Sequence, residues 1–170
     1  MNLMIYGEGG LGHEVLDLAL RLEHRGQCGY QKILFLDDHP SGNDYMGYPV
    51  YSPGEAFQMY GPQDTGVVIA IGEPAVRQKL TARVLEAGYG LETLIHPSAH
   101  VGLNTKTGPG TVVQRGVFLS CDCVVGSNCF LQPAAAVGHN CSIGDNCVIS
   151  TNTAISGGVS IGENTYLAVG

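Results

Sequence analysis

His139 is the residue of this sequence whose type and position best suit acid–base chemistry. It lies in a segment where an aliphatic residue recurs every six positions, and it occupies the third place of its unit, where the chain is expected to turn an outward corner. No other unit has a histidine in that place. An imidazole titrates near neutral pH, so it can accept the proton of an amine or a hydroxyl that attacks a thioester. A solvated corner histidine without chemistry fits the same position.

A second candidate site lies near the amino terminus, in a glycine-rich segment. Gly7, Gly9 and Gly12 match the pattern G-x-G-x-x-G between the apolar run Asn2–Tyr6 and the amphipathic residues 13–23. At a junction of strand and helix, glycine lets backbone N–H groups approach a phosphate. The pattern favours nucleotide binding, and a tight turn without a ligand is the alternative.

Two acidic residues support the nucleotide hypothesis. A second predicted strand, Lys32–Leu36, ends at Asp37 and Asp38. An acidic residue that closes the second strand of such a fold commonly binds a sugar hydroxyl or a base of the nucleotide. The two carboxylates and the glycine loop are therefore expected at the carboxyl edge of one parallel sheet.

Residues 1–95 are predicted to form a half-Rossmann α/β domain that binds a nucleotide. One further β–α unit, residues 67–71 followed by a helical pattern over 75–87, precedes a last apolar run at 91–95. This makes three or four parallel strands, which is too few for a complete dinucleotide-binding fold.

The segment of residues 39–61 lies between these units and has no hydrophobic period. It is rich in Pro, Gly, Tyr and Ser, a composition typical of loops. We predict loops there, with one short helix near residues 54–59.

From Val101 onward the six-residue period predicts a parallel β-helix. Hexapeptide units have this period, and three of them form one triangular coil. Residues eighteen apart then stack on neighbouring coils, about 4.8 Å apart, and build apolar ladders inside. Residues 96–170 are therefore assigned to a β-helix domain. The inward positions are Val101, Val113, Leu119, Val125, Leu131, Val137, Ile143, Ile149, Ile155, Ile161 and Leu167, with Thr107 out of pattern.

Four of the six cysteines occupy a second inward place of the repeat, which predicts core packing rather than redox chemistry. The spacing Cys121-x-Cys123 does not match a zinc site, and no second such pair completes one. Because free thiols persist in reducing compartments and no signal peptide follows Met1, a cytoplasmic location is expected. The four core cysteines are Cys123, Cys129, Cys141 and Cys147.

The charge and the hydropathy of the chain argue against a nucleic-acid ligand and against a membrane span. The chain has a net charge of −7 and no basic cluster, so nucleic acid is not an expected ligand. It also contains no apolar run of about eighteen residues, the length that a membrane span needs.

Several motifs, in their order, resemble the NeuD/PglD-type family of nucleotide-sugar and sialic-acid acetyltransferases, which are acyl-CoA-dependent enzymes of the left-handed hexapeptide class. The resemblance covers the whole chain. It is carried by residues 5–15 (IYGEGGLGHEV), 35–38 (FLDD), 70–74 (AIGEP) with Arg77, 94–99 (LIHPSA) and 137–145 (VGHNCSIGD).

The resemblance implies a left-handed β-helix, acetyl-CoA as co-substrate and no metal. His139 would deprotonate the amine or hydroxyl of the acceptor, and Asn140, which stands where family members often have an acidic residue, is counted with it in the catalytic site. The implied reaction is N-acetylation of a UDP-4-amino sugar or O-acetylation of sialic acid, in cell-surface polysaccharide biosynthesis. The residues implied to hold this acceptor are Gly9, Gly10, Asp37 and Asp38.

The resemblance also implies a homotrimer in which acetyl-CoA lies between adjacent β-helices. The few charged residues after position 98 agree with surfaces that other copies would cover. Since a solenoid needs a cap over its last coil, and the sequence stops in the middle of a hexapeptide, we expect the chain to be cut short at its carboxyl end.

One other function fits the same pattern, and a second shares the fold but lacks the residues it needs. A non-catalytic nucleotide-sugar-binding or scaffold protein of this fold is compatible with the neutral Asn140. A γ-type carbonic anhydrase has the same β-helix but needs three zinc-binding histidines, whereas residues 99–170 contain only His100 and His139.

Overall fold

The apolar runs Asn2–Tyr6 (β1) and Lys32–Leu36 (β2) are adjacent parallel strands in the computed structural model, which describes residues 1–170. A third strand, Thr65–Ile69 (β5), pairs in parallel with the other edge of β1. Four residues of β1, four of β2 and all five of β5 are buried. Near-continuous burial is typical of parallel strands whose two faces are both covered.

The sheet is larger than the sequence predicted. Its order is β3-β4-β2-β1-β5-β6, where β3 is Asp44–Tyr45, β4 is Tyr48–Tyr51 and β6 is Gly90–Leu91. Strands β4, β2, β1, β5 and β6 are parallel, and only β3 is antiparallel. The expectation of three or four strands missed the β3–β4 hairpin, because its strands have two and four residues and no hydrophobic period.

Three helices and one 3₁₀ turn also lie before residue 93. Helix α1 (Gly10–His24) buries an apolar stripe, and α2 (Pro53–Met59) begins with a capping box between Ser52 and Glu55. The predicted short helix near residues 54–59 is thus confirmed. The others are α3 (Pro74–Glu86) and the 3₁₀ turn Pro62–Asp64.

The chain divides into two units. The first comprises Met1–Ile71 and Lys79–Glu92, and the second Gly72–Gln78 and Thr93–Gly170. The first turns of α3 and the run Leu94–Ile95 therefore belong to the second unit, whereas the sequence-based division placed them in residues 1–95. Leu94–Ile95 pairs with Val112–Val113, eighteen residues further on, which is the spacing of the hexapeptide coils.

The second unit is a parallel β-helix, as the period predicted, and we call residues 93–170 the prism. Two-residue strands recur every six residues and form three parallel sheets, in which β7, β10, β13, β16 and β19 make the first face, β8, β11, β14 and β17 the second, and β9, β12, β15 and β18 the third. The strands, in order from β7, are Leu94–Ile95, His100–Val101, Lys106–Thr107, Val112–Val113, Phe118–Leu119, Val124–Val125, Phe130–Leu131, Ala136–Val137, Ser142–Ile143, Val148–Ile149, Ala154–Ile155, Ser160–Ile161 and Tyr166–Leu167.

The prism core contains the predicted aliphatic ladders from Val113 onward, whereas Val101, another predicted inward position, is 38% exposed. The residues from Val113 to Ile149 in this pattern are at most 3% exposed, while Ile155, Ile161 and Leu167 on the later coils are partly buried. All four inward cysteines are buried free thiols. Each thiol donates to a carbonyl fifteen residues further on, such as Cys129 to Gly144 at 3.1 Å. The cysteines therefore fill the core, as predicted.

From Asn104 to Asn164, each corner of the prism contains a residue with positive φ, three places after the inward residue of the repeat. Asn and Gly tolerate this left-handed conformation better than other residues, which explains their recurrence every six positions. This six-residue recurrence of Asn and Gly was not among the features predicted from the sequence. The corner residues are Asn104, Gly110, Gly116, Asp122, Asn128, Ala134, Asn140, Asn146, Asn152, Gly158 and Asn164.

A buried arginine binds one of these corners. Arg77, in the first turn of α3, is 0% exposed and donates from Nε and Nη2 to the carbonyl oxygen of Asn128. Its Nη2 also donates to Asn128 Oδ1 at 2.8 Å, and its guanidinium lies 5.5 Å from the centre of the Phe130 ring. Asn128 in turn donates to Asn146 on the next coil.

None of the helices combines the length and the hydrophobicity that crossing a bilayer requires.

Candidate functional site

The glycine loop follows β1 and leads directly into α1. Gly9 is the N-cap of α1, and Gly9 and Gly10 are exposed, with no atom within 4 Å of the place where a side chain would begin. The first-turn N–H groups of a helix are not used within it and attract anions. The predicted phosphate-binding residues therefore present an open backbone surface.

The other two glycines of the motif are needed by the packing of the loop. Gly7 has a φ of 112°, and its N–H donates to the carbonyl of Leu36 at 2.7 Å. A Cβ on Gly12 would overlap the carbonyl oxygen of Gly7 and lie 3.2 Å from the Phe35 ring. Gly7 and Gly12 thus close the turn, while Gly9 and Gly10 remain available to a ligand.

We expect Gly12→Ala to lower the free energy of unfolding by about 3 kcal/mol, because the added methyl group collides with backbone that cannot move without breaking the loop. The matched control is Gly54→Ala in α2, where no atom lies within 4 Å and where alanine should stabilise by about 0.5–1 kcal/mol. Urea unfolding of both variants measures the difference. Equal stabilities of the two variants would contradict this role of Gly12.

Asp37 supports the glycine loop through its carboxylate. Its Oδ2 accepts the N–H of Glu8 at 3.2 Å, and its Oδ1 accepts the N–H of His39 at 2.9 Å. Glu8 then accepts the N–H of Ser41 at 2.5 Å. The carboxylate therefore ties the loop after β1 to the segment after β2, a role that the sequence did not indicate.

Asp38 lies in a different set of contacts at the same edge of the sheet. Its Oδ2 accepts a hydrogen bond from the Tyr6 hydroxyl at 3.0 Å, and its Oδ1 accepts one from Arg83 Nη1 at 2.6 Å. Arg83 Nη1 also donates to the Tyr6 hydroxyl oxygen at 2.8 Å. The structure thus brings all four predicted acceptor-binding residues to one edge of the first unit, and it adds Tyr6 and Arg83.

The charge state of Asp38 follows from these contacts. Partial burial acts to raise its pKa, but the hydrogen bonds from Arg83 and Tyr6 outweigh burial, so the pKa of the Asp38 carboxyl lies below its ordinary value. Burial and the neighbouring Asp38 raise the pKa of the Tyr6 phenol, which therefore stays protonated and donates. Asp38 is a charged, half-exposed acceptor at neutral pH.

His139 and Asn140 are both exposed at a corner between the second and third faces of the prism. His139 Nδ1 lies 2.8 Å from Asn140 Oδ1, and because an amide oxygen can only accept, Nδ1 carries the proton. In the neutral imidazole, Nε2 is then the nitrogen without a proton. Asn140 has a φ of 57°, and its N–H donates to the carbonyl of Cys121 on the previous coil.

The imidazole lies over a glycine on the next coil. A Cβ on Gly157 would be 2.7 Å from His139 Nε2 and 2.8 Å from Cε1. Gly158 donates its N–H to the carbonyl of His139 at 2.8 Å. Gly157 thus leaves room for the ring, and its position eighteen residues after His139 was the signal that could have identified it.

This corner can do acid–base chemistry. In the neutral ring, Nε2 can accept a proton, the bond from Nδ1 sets the orientation of the ring, and the partner of Nδ1 is a neutral amide that adds no charge. His100, the other histidine of residues 99–170, is stacked on Phe118 at 4.8 Å on the second face. His139 and Asn140 therefore meet the geometric requirement of the predicted catalytic pair, and their roles stay predictions.

Two family models match the chain. The model of the PglD N-terminal domain matches residues 2–84. The model of the bacterial transferase hexapeptide, described as six repeats, matches residues 122–157. The first match contains the glycine loop, Asp37, Asp38 and Arg83, and the second contains the His139 corner.

One curated protein is similar over most of the chain. GDP-perosamine N-acetyltransferase of Escherichia coli O157:H7 is 27% identical over 128 residues, which are 74% of this chain and 57% of that protein. The chain thus spans little more than half the length of this curated relative.

Solved structures share the fold. WeeI from Acinetobacter baumannii AYE superposes with a TM-score of 0.91 at 24% identity, over 100% of this chain and 79% of that one. A mutant of perosamine N-acetyltransferase from Caulobacter crescentus, in complex with CoA and GDP-perosamine, has a TM-score of 0.63 at 24% identity over 99% of this chain and 89% of that one.

Proposed function

We propose that this chain, which belongs to the NeuD/PglD-type family of hexapeptide-repeat proteins, transfers an acetyl group from acetyl-CoA to an amino sugar linked to a nucleotide. The observation that carries the proposal is the exposed His139–Asn140 pair, in which Nδ1 is bonded and Nε2 is free to take a proton. The relative named for GDP-perosamine N-acetylation supports the same reaction.

The proposed reaction needs one base. The sugar amine attacks the thioester carbonyl carbon of acetyl-CoA while His139 Nε2 accepts a proton from the nitrogen. The C–S bond then breaks, and the imidazolium returns the proton to the CoA sulfur. Asn140 keeps the ring in the tautomer that has Nε2 unprotonated.

The first unit is proposed to hold the acceptor. The exposed backbone at Gly9 and Gly10 suits a diphosphate, because helix N-termini attract anions. The carboxylate of Asp38 suits sugar hydroxyls, and Asp37 acts by supporting the loop. A phosphate-binding loop favours a nucleotide-linked amino sugar over free sialic acid, and therefore N-acetylation over O-acetylation.

The test is an acetyl-CoA assay on the full chain. We expect release of free CoA thiol that depends on a GDP- or UDP-linked 4-amino sugar, and none with the corresponding 4-hydroxy sugar as the control acceptor. The active sample should sediment as a homotrimer at micromolar concentration, since acetyl-CoA is expected between adjacent prisms. Tight nucleotide-sugar binding without thiol release would instead identify a non-catalytic binding protein.

A further inference from the structure

The contacts of Asp38 point to two residues to which the sequence assigned no role. We propose that Tyr6 and Arg83 are positioning residues, which fix the Asp38 carboxylate for hydroxyl or amino groups of the nucleotide-linked sugar. This role rests on the acceptor proposed above. It assigns a function to a side-chain cluster that joins the end of β1, the segment after β2 and helix α3.

The geometry is that of a closed triangle. Tyr6 donates to Asp38 Oδ2 at 3.0 Å, and Arg83 Nη1 donates both to Asp38 Oδ1 at 2.6 Å and to the Tyr6 oxygen at 2.8 Å. Each carboxylate oxygen has two lone pairs and receives one of these bonds. One lone pair on each oxygen therefore remains for a ligand, and the orientation of the carboxylate is set from two sides.

Stability alone does not account for this arrangement. The side chains of Arg83 and Asp38 are 47% and 42% exposed, and exposed ion pairs contribute little to the free energy of unfolding. A nearly fully buried tyrosine nevertheless directs its hydroxyl to this exposed carboxylate. The cluster orders a charged acceptor that solvent, and hence a ligand, can reach.

The groups around Asp38 favour its ionised form. Arg83 on α3 and the neighbouring His39 favour the ionised carboxylate, as does the hydrogen bond from Tyr6 on β1. Asp37, the other charged neighbour, is engaged with the N–H groups of Glu8 and His39. Without Arg83 the pKa of Asp38 should rise. On acidification, a variant that lacks Arg83 should therefore lose carboxylate-dependent ligand binding at a higher pH than the wild-type chain does.

The experiment compares Arg83→Gln, Tyr6→Phe and Arg83→Lys with the wild-type chain, by calorimetric titration of a GDP- or UDP-linked 4-amino sugar without acetyl-CoA. We expect about tenfold weaker binding in Arg83→Gln and Tyr6→Phe, the loss typical of one charge-assisted hydrogen bond. Arg83→Lys should recover part of the affinity. The matched control is Arg21→Gln, which breaks the exposed 2.7 Å pair of Arg21 with Asp17 on α1 and should leave binding unchanged.

Two further readouts separate positioning from folding. The loss in Arg83→Gln should be larger at about pH 5 than at about pH 7.5, where an ordinary carboxyl is ionised with or without the arginine. The KM for acetyl-CoA should not change in any variant. If Arg83→Gln lowers the melting temperature, Tyr6→Phe, which keeps the buried ring, shows whether weaker binding comes from lost positioning or from lost stability.

Each result has a distinct meaning. Wild-type affinity in both Arg83→Gln and Tyr6→Phe, or an equal loss in Arg21→Gln, would overturn the inference and leave the proposed acetyl transfer intact. Failure of the wild-type chain to bind any nucleotide sugar would overturn both the proposed acceptor and the inference.

Discussion

Replacing His139 with alanine should lower the turnover number for acetyl transfer by about two to four orders of magnitude, the usual contribution of a positioned general base. The expected cause is the loss of Nε2, which is the proton-accepting nitrogen of the neutral ring when Nδ1 donates to Asn140. Because His139 is exposed, the unfolding temperature should not change. Thiol release at saturating acetyl-CoA and acceptor measures the effect.

The control is His24→Ala, which removes an exposed histidine from the end of α1 and should leave turnover unchanged. Nucleotide-sugar affinity should also be the same in His139→Ala as in the wild-type chain. Wild-type turnover in His139→Ala would remove the residue from the mechanism and favour the binding-protein alternative.

Two neighbouring substitutions test how the imidazole is held. Gly157→Ala would place a methyl group 2.7 Å from Nε2 and should reduce turnover by displacing the ring.

Asn140→Asp is compatible with the backbone of this corner, because Asp122 has a φ of 58° at the equivalent place one coil earlier. A carboxylate beside Nδ1 stabilises the protonated ring, so the pH midpoint of turnover should move upward.

Replacing Arg77 with methionine should lower the free energy of unfolding by roughly 2–5 kcal/mol, the cost of leaving buried oxygen acceptors without their donors. Asn128 would lose the donors to its carbonyl and amide oxygens, and both residues are 0% exposed. The Phe130 ring would lose the guanidinium 5.5 Å from its centre. Urea unfolding followed by circular dichroism gives the value.

Burial opposes this stabilisation. It lowers the pKa of Arg77 to about 10, below the value for an unfolded chain. At every pH below about 10 the guanidinium is buried in its charged form at a cost, and the hydrogen bonds to Asn128 offset that cost. The loss in Arg77→Met should therefore be the same at pH values near and below neutrality.

The control for Arg77→Met is Gln78→Met, an exposed neighbour on the same helix, which should change the stability by less than about 0.5 kcal/mol. Asn128→Ala combined with Arg77→Met should cost less than the sum of the single variants, because they share the same bonds. Similar stabilities of Arg77→Met and Gln78→Met would rule out a stabilising role for the buried arginine.

The β-helix was predictable because its information is local. A period of six residues sets which side chains turn inward, and a coil of eighteen sets which strands pair, as Val113 with Leu131. The same count relates Leu94 to Val112 and could have extended the prism. The run Leu94–Ile95 was instead predicted to end the first domain, because it is continuous with the apolar segment that starts at residue 91.

The candidate site was predictable in part. Strand and helix patterns were enough to place Gly9, Gly10, Asp37 and Asp38 at one edge, and the repeat was enough to place His139 at a corner. The partner of each side chain was not visible, however. Asn140 was identified by its missing charge, whereas the structure shows a corner residue with φ of 57° whose amide oxygen accepts from the imidazole.

The sequence by itself determined the β-helix, the glycine loop and the acidic end of β2, since each depends on residues close together or on a regular count. Only the tertiary structure decided which groups meet across elements. Tyr6 and Arg83 reach Asp38 across 32 and 45 residues, and Arg77 reaches Asn128 across 51. No period links these positions, because each contact joins residues that are far apart in the sequence and that meet only in the folded chain.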